Sequence, residues 1–394
     1  MPELGNTVDW STLEHAYGTA EDIPGLLGEL ASGDQETRHG AFGELLHSLV
    51  HQGTRYQASA YAVPALLDLV ADPAQADREF VALLLVWIAI GSDEAWLPDG
   101  IRIDELRQRA SGGAEVLARG RTGRTTAEHV AVDTYAALRG WEAVRDGLPV
   151  LRSLLDGADL GLRTIAAYTL GWFPADAAPA GAEPSLAALA DLVAEADADQ
   201  GLVAVALVSA GLLGADGSAR LARAALDDPR PLVRWAGAIA LARLDGPAAD
   251  PRVATELLHW AGGGSRRDQE FPFLGGDLAG YATLALRQLG PASADAAFAA
   301  TLARLPLVHA EEALTVLGEA LRYAFPDGPV PGPAPFEQLD ERQRRLVRVL
   351  ADAPGSWRYD EFDFGNFSML VAEYGLPGDH GKMRRYADPD LVSD

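Results

Sequence analysis

The chain contains no cysteine, which excludes disulfide bonds, thiolate metal sites and a cysteine nucleophile. It is also almost free of lysine, because Lys382 is the one lysine among its 32 basic residues. Lysine side chains often supply contacts to phosphates, so their scarcity argues against a nucleic-acid partner.

Long hydrophobic runs are missing as well. The longest uninterrupted apolar run, Phe80 to Ile90, is too short to span a bilayer and fits a buried helix instead. The first residues, Met1 to Asn6, lack the basic and apolar regions of a signal peptide. We therefore expect a cytoplasmic protein with no membrane contact.

Acidic residues dominate the charge. The 57 Asp and Glu residues outnumber the basic ones and give a formal net charge of −25. Such a field repels phosphate backbones and anionic lipid and favours basic partners. The ordinary alternative is that the acidity only keeps the surface soluble.

A short pattern recurs along the chain: a proline, a leucine-rich helix, a polar turn and an Ala/Leu-rich second helix. Pro24 and Pro64 are 40 residues apart, and Pro64 and Pro149 are 85 apart, which is close to two further units. Helical pairs that repeat at this length bury their apolar stripes by stacking on their neighbours. The sequence thus predicts an all-α fold, a right-handed α-solenoid of about seven to eight helical pairs with a C-terminal cap.

The predicted array covers residues 1–326. Residues 92–127 form a degenerate unit with an arginine cluster of Arg119, Arg121 and Arg124, and residues 261–277 are a glycine-rich insertion of the kind that is often functional or disordered. A Pro/Gly linker at 327–337 leads to a helical cap at 338–394 that should cover the apolar end of the stack.

The motif of the repeat resembles the HEAT repeat. Asp228-Pro229, Val233-Arg234 and Ala238-Ile239-Ala240-Leu241 carry the resemblance best, and Leu162-Arg163 and Thr37-Arg38 are fainter copies. The resemblance implies that second helices line a concave face. It also implies that Arg38, Arg163 and Arg234 bond turn carboxylates of their own and the next unit.

Three further segments are similar to a group of actinobacterial HEAT-repeat proteins: Trp10 to Gly18, His51 to Thr54 and Glu373 to Pro377. That resemblance implies a bacterial scaffold protein and no particular reaction.

Candidate partner-binding residues lie on or near the predicted second helices. Aromatic side chains at six of these positions could form a concave belt for a cationic or amphipathic guest, or could simply pack between repeats; the six are Trp87, Tyr135, Tyr168, Trp172, Trp235 and Tyr281. His129 and Asp133 are four residues apart and form a polar spot or an ordinary solvated pair.

His47 and His51 also stand four apart on one predicted helix, a spacing seen in metal-ligand pairs. Ser48 occupies the position where His-Glu-x-x-His requires its glutamate, so we assign no metal and favour a hydrogen-bonded helix end. The chain has neither a Gly-x-Ser-x-Gly elbow nor a Gly-Lys-Ser/Thr phosphate loop. We therefore name no catalytic residue and no cofactor, and lean against an enzyme.

Two functions of different classes remain. The first is a non-enzymatic scaffold that grips a protein or peptide partner, a basic one being favoured by the charge, in an acidic groove. The second is an enzyme on a HEAT-like frame that modifies a small molecule or peptide, or a HEAT-like DNA glycosylase, which the net charge of −25 disfavours. The sequence does not determine the oligomeric state.

Overall fold

The computed structural model describes residues 8–120, 122–264, 266–330 and 332–388. The parts of the predictions that fall on residues 1–7, 121, 265, 331 and 389–394 lie outside these ranges. The predicted all-α class is confirmed, because the described residues form twenty α-helices and only three two-stranded hairpins. The chain forms two compact units, of which unit 1 ends at Leu221 and unit 2 begins at Ala222. The predicted division into array, linker and cap stays a prediction.

Unit 1 consists of consecutive helical pairs and two hairpins. The hairpins are β1 (Glu14–His15) with β2 (Gly18–Thr19) and β3 (Val50–His51) with β4 (Thr54–Arg55). The helices are α1 (Ile23–Leu30), α2 (Gln35–Leu49), α3 (Gln57–Ala71), α4 (Arg78–Ile90), α5 (Ile103–Arg109), α6 (Gly113–Ala118), α7 (Thr126–Asp146), α8 (Leu148–Ser153), α9 (Leu160–Leu170), α10 (Pro179–Ala194) and α11 (Gln200–Leu213), with α12 (Ser218–Ala225) crossing the boundary.

Successive pairs in unit 1 stack through their second helices. The pairs are α1 with α2, α3 with α4, α8 with α9 and α10 with α11, and the second helices α2, α4, α9 and α11 contact one another in that order. Such nearest-neighbour stacking is the packing of an α-solenoid. The predicted degenerate unit contributes the short helices α5 and α6, which pack against the long helix α7, and α7 lies on α3 and α4.

Capping residues set several helix starts, but not all of those predicted. The Asp34 carboxylate accepts a 2.8 Å hydrogen bond from the Thr37 backbone N–H at the start of α2, as expected. The sequence also predicts Asp77 as the N-cap of the following helix, because aspartate is a favoured capping residue. That prediction is wrong, because Asp77 has a left-handed backbone (φ 52°) and makes no capping bond to α4. Its carboxylate instead pairs with Arg38 at 2.8 Å.

The arginines that begin the second helices link neighbouring pairs, as the resemblance implied. Each donates a hydrogen bond to a backbone carbonyl oxygen in the turn before its own helix. The prediction had named a carboxylate of that turn as the acceptor instead. Each also forms an ion pair with a carboxylate of the next helical pair. The distances are 2.8 Å from Arg38 to Asp77, 2.6 Å from Arg163 to Glu195 and 3.5 Å from Arg234 to Glu256. These contacts fix the spacing between successive pairs.

Unit 2 continues with helical pairs and ends in the C-terminal helices. Its elements are α13 (Pro231–Asp245), α14 (Pro251–Ala261), α15 (Leu278–Leu286), α16 (Ala294–Arg304), α17 (Ala310–Ala324), α18 (Glu341–Asp352), the hairpin β5 (Arg358–Tyr359) with β6 (Phe362–Asp363), α19 (Gly365–Glu373) and α20 (His380–Ala387). Buried residues of α18 and α19, among them Leu346 and Phe367, share one core with Leu317 of α17. The C-terminal helices thus cover the apolar face of the last pair.

The glycine-rich insertion of unit 2 is ordered along its described residues. Phe271 and Phe273 are buried, and the Phe271 ring lies 5.3 Å from that of Trp235. Arg266 places its guanidinium 5.0 Å above the Trp260 ring. Aromatic packing therefore holds this segment against the helices. Across the described ranges, no helix has the length and apolar character needed to cross a bilayer.

Candidate functional site

Two adjoining cavities open in unit 1 where α6 and α7 meet the start of α3. The larger, with a volume of about 610 Å³, has a wall of small residues, so we call it the alanine cavity; its lining includes Thr12, Ala60, Tyr61, Ala114, Ala118, Tyr135, Arg139 and Ala143. Tyr61 is 48% exposed, and Tyr135 is half-buried. The cavity thus combines two aromatic rings and several small side chains with the polar residues Glu14, Gln57 and Arg139.

The smaller cavity holds about 260 Å³ and is lined by charged side chains, so we call it the arginine cavity. Its charged residues are Glu14, Arg55, Arg124, His129 and Asp133. Four residues line both cavities, namely Glu14, Gln57, Leu117 and Ala136. The two cavities therefore form one continuous cleft.

Arg55 reaches the arginine cavity from a tight hairpin turn. Gln52 and Gly53 between β3 and β4 both have positive φ, the conformation of a two-residue type I′ turn. The Arg55 Nη1 group donates a 2.5 Å hydrogen bond to the carbonyl oxygen of Gly53. Gly91, at φ 72°, packs against the same group, and a side chain at this position would collide with Arg55 Nη1. Gly53 therefore provides the hydrogen-bond acceptor for the Arg55 guanidinium, and the missing side chain of Gly91 leaves space for it.

Burial affects the charge of Arg55. The residue is only 8% exposed, and its Nε group has no hydrogen-bond partner. Burial lowers the pKa of Arg55 to about 10, which still leaves it protonated at neutral pH. No carboxylate within the described residues comes within ion-pair distance of it.

Arg124 approaches the arginine cavity from the loop before α7. Its side chain is 7% exposed, its Nε group donates to the carbonyl oxygen of Gly120 at 3.0 Å, and its Nη2 group has no partner. The nearest carboxylate is that of Glu14, whose Oε2 lies 4.0 Å from Arg124 Nη1. This is the outer limit of an ion pair, and the charge of Arg124 also acts on Asp133.

The structure brings three of the predicted residues together in this cleft. His129 and Asp133 line the arginine cavity, and Tyr135 lines the alanine cavity. Partial burial raises the pKa of Asp133, against the opposing effects of the His129 and Arg124 charges. The pair predicted as a polar spot is therefore part of a charged cavity wall.

Four of the predicted partner-binding residues are core residues, which corrects the expectation that they face a groove. Trp172 and Trp235 are 0% exposed, and Tyr168 and Tyr281 are also buried. Their apolar rings pack against other aromatic side chains, and the Trp235 indole N–H donates to the Leu278 carbonyl oxygen at 3.1 Å.

The histidine pair does not share a helix. His47 is exposed near the end of α2. Because α2 ends at Leu49, His51 lies beyond the helix, in β3. The His51 Nδ1 atom is 3.2 Å from the hydroxyl oxygen of Tyr17, and the two rings meet edge to face. The tip of the first hairpin thus contacts the second, and neither histidine lines the cleft.

Trp87 is half-buried on α4. It belongs to a row of aromatic side chains with Phe42 and Phe80, which the sequence analysis did not predict. Its ring lies 6.2 Å from that of Phe42 on α2, and Phe42 stacks on Phe80 at 4.7 Å. Phe80 and Trp87 are seven residues apart, a helical spacing that could have revealed a common face.

Glu14, Arg55 and Arg124, which line the arginine cavity, were also not predicted as site residues. Glu14 lies within a segment that carries the actinobacterial resemblance, and Arg55 directly follows another. Arg124 was assigned to the arginine cluster of the degenerate unit, with no role in binding. The signal that could have found them is the pairing of an arginine with a Gly-containing turn, as in Gly53-Thr54-Arg55, but only the fold shows that these residues meet.

The comparisons with known proteins assign neither a family nor a ligand to this chain. No family model and no curated protein matches the chain. Solved structures do match, among them that of an engineered protein, which is 18% identical; the match covers 93% of this chain and 97% of that one, with a TM-score of 0.32. A likeness this distant says nothing about a ligand. The class, an all-α protein of stacked helical pairs, is defined by the helices and their contacts in the structure itself.

Proposed function

We propose that this chain is a non-enzymatic binding protein that holds a segment of a protein or peptide partner in the cleft of unit 1. The observation that carries the proposal is the alanine cavity. Its volume of about 610 Å³ lies in the range of ligand-binding pockets, and Tyr61 and Tyr135 supply the aromatic anchors that dominate many interfaces.

The small side chains of the alanine cavity favour a chain segment over a bulky rigid ligand. Ala60, Ala114, Ala118 and Ala143 leave room for a backbone to approach the wall closely. An extended peptide could therefore place small or flexible side chains between the two tyrosines.

The net charge indicates what kind of partner is attracted. At −25 the chain favours association with a basic protein or peptide, and this attraction should weaken with added salt. We propose a cytoplasmic, bacterial scaffold role on the same grounds of composition and resemblance.

We also propose that the helical pairs are HEAT repeats. The support is the arginine pattern, in which Arg38, Arg163 and Arg234 each bond the turn before their helix and a carboxylate of the next pair. The segments similar to the actinobacterial proteins fall partly on the two hairpins of unit 1. There the backbone N–H of Ala16 donates to the Ser48 carbonyl oxygen at 3.1 Å.

The test is to fill the cleft without touching the core. Ala118 is exposed on α6 and lines the alanine cavity, so Ala118→Trp should occupy it. Ala127 is exposed on the first turn of α7 and lines neither cavity, which makes Ala127→Trp a matched control.

Each protein is used for affinity capture from cells of the source organism, with quantitative mass spectrometry. We expect one basic partner to be retained by the wild type and Ala127→Trp and reduced at least about tenfold by Ala118→Trp, since tenfold corresponds to one good contact. A partner captured equally by both variants would place binding elsewhere. Recovery of no stoichiometric partner by the wild type would refute the binding function.

A further inference from the structure

The C-terminal helices of unit 2 carry a basic surface on a strongly acidic chain. Helices α18 and α20 pack against each other and together contain seven basic residues and two acidic ones, whereas the whole chain has a net charge of −25. Four of the basic residues are exposed and define what we call the basic face: Arg345 and Arg348 on α18, and Lys382 and Arg385 on α20.

Contacts with aromatic rings hold the two arginines of the basic face in place. The Arg345 guanidinium lies 5.5 Å from the centre of the buried Phe298 ring, and that of Arg348 lies 5.8 Å from the centre of the Phe336 ring. Such cation–π contacts restrict an arginine side chain without using its N–H groups as hydrogen-bond donors. Because both residues are exposed, these donors are accessible to a ligand from solvent.

The same aromatic contacts connect the arginines to α20. The Phe336 ring, which contacts Arg348, also meets the Tyr386 ring edge to face at a distance of 5.8 Å. Lys382 precedes Tyr386 by four residues and Arg385 by three, so these three side chains lie on one side of α20. That side adjoins Phe336 and Arg348, and the four cations therefore belong to one surface.

The fold does not pair these four cations with carboxylates. Within the part of the chain that the structure describes, no acidic side chain is within ion-pair distance of any of them. Arg342, on another side of α18, differs in this respect because it pairs with Asp295. Exposed cations that lie close together repel one another, so an anion bound among them is favoured.

The dimensions of the basic face favour a short anionic segment. The twelve residues of α18 measure about 18 Å, which an extended peptide covers with about five residues. Glu341 and Asp352 stand at the two ends of this helix and repel negative charge beyond it. A polynucleotide would extend past both ends onto a chain whose net charge is −25, which repels its phosphates.

The spacing of the cations matches carboxylates on alternate residues of such a segment. Side chains on the same side of an extended chain are about 7 Å apart. This distance lies between the separation of about 5–6 Å across one helical turn, as from Arg345 to Arg348, and the separation of about 8–10 Å between packed helices.

We propose that the basic face binds a short acidic segment of a partner protein, with its carboxylates held by Arg345 and Arg348 on α18 and by Lys382 and Arg385 on α20. Guanidinium groups bind carboxylates through charge-assisted, often bidentate hydrogen bonds, and Lys382 adds a further cation. This surface lies in unit 2 and takes a segment of opposite charge to the one proposed for the cleft, so the inference does not depend on the proposed function.

Three probes with the same rhodamine label test the inference by fluorescence anisotropy on the full chain. They are the peptide amide Gly-Glu-Ala-Glu-Ala-Glu, its counterpart with Gln in place of each Glu, and a ten-nucleotide oligodeoxythymidine. We expect the Glu peptide to bind most tightly and the Gln peptide to bind at least about tenfold more weakly. Added salt should weaken binding of the Glu peptide, because its contacts are exposed.

Variants assign the binding to the basic face. The double variant Arg345→Gln/Arg348→Gln should lose at least about tenfold in affinity for the Glu peptide, and Lys382→Gln should lose at least about threefold. Arg384→Gln is the matched control. Arg384 is also exposed on α20, but it stands two residues from Lys382, about 200° round the helix axis, and so lies on another side. We expect this variant to stay within about twofold of the wild type.

The outcomes separate a specific site from a general effect of charge. Equal affinity for the Glu and Gln peptides, or equal losses in Lys382→Gln and Arg384→Gln, overturns the site. Tighter binding of the oligonucleotide than of the Glu peptide overturns the assignment to an acidic protein segment.

Thermal unfolding of each variant separates binding from folding. Because the four side chains are exposed, we expect melting temperatures within about 2 °C of the wild type. If the double variant melts more than about 5 °C lower, Lys382→Gln decides the assignment, since Lys382 contacts no aromatic ring among the described residues. Unchanged affinity in that variant then overturns the inference. The Ala118→Trp capture experiment involves none of these residues and decides the proposed function separately.

Discussion

Substitution of Trp235 by Ala tests whether the second-helix tryptophans stabilise the fold or recognise a partner. Trp235 is 0% exposed on α13, and its ring lies within about 6 Å of those of Trp260, Phe271 and Tyr281. A buried aromatic side chain removes roughly 150–250 Å² from water, which at about 25 cal/mol per Å² corresponds to about 4–6 kcal/mol. Measured Trp-to-Ala costs of about 3–5 kcal/mol agree with this figure.

The hydrogen bond of the indole adds a smaller contribution. The Trp235 Nε1 group donates to the carbonyl oxygen of Leu278 at 3.1 Å, and loss of such a bond costs about 1 kcal/mol. Trp235→Phe keeps an aromatic ring but removes this donor. We therefore expect Trp235→Phe to cost clearly less than Trp235→Ala, by at least about 2 kcal/mol.

The measurement is urea unfolding followed by circular dichroism, with hydrogen exchange to identify the transition of unit 2. Because the chain has two units, unfolding is not assumed to be two-state and the free energy is taken from that transition. A loss below about 1 kcal/mol for Trp235→Ala would refute the packing argument. Intact stability combined with lost partner capture would restore Trp235 to the binding surface.

Two further predictions concern the contacts that order unit 1. Arg163→Ala should destabilise unit 1 by about 1–2 kcal/mol, because it removes the hydrogen bond to the Leu155 carbonyl oxygen. The coupling energy between Arg163 and Glu195, measured by a double-mutant cycle, should stay below about 1 kcal/mol because Glu195 is half-exposed. A larger coupling energy would contradict this ranking of the two contacts. The Thr125 backbone N–H, followed by the side chains of Arg119 and Thr125, lowers the pKa of Glu128 to about 2. Its stabilising effect is therefore complete above the ordinary value of 4.5 and is lost as the pH falls toward 2. Glu128→Gln should flatten the pH dependence of the unfolding free energy in that window, and an unchanged slope would be evidence against the capping interaction.

Local sequence patterns predicted many of the helices well. The apolar spacing predicts a helix from Gln200 to Leu213, which is where α11 lies, and another from Leu232 to Leu244, which α13 matches to within one residue at each end. Both helices have polar or proline-containing turns before an apolar stretch, and such signals act over a few residues. The prediction failed at Pro64, which was taken as a helix start but lies inside α3. That helix begins at Gln57, and near its start the Ser59 hydroxyl donates to the Leu49 carbonyl oxygen at 2.7 Å, a contact with the end of α2.

The chain's composition and periodicity by themselves determined its all-α class and its acidity, because these depend on residue content or on a spacing that repeats. The arginine contacts between pairs were implied by the resemblance to the HEAT repeat. The tertiary structure alone decided which aromatic side chains face solvent, since Trp235 lies on a helix that is apolar nearly all round and its exposure depends on what packs against each face. It also decided the cleft. Glu14, Arg55 and the segment that carries Arg124 and Asp133 are far apart along the chain, and they line one cavity only because α7 packs beside α3 and β4.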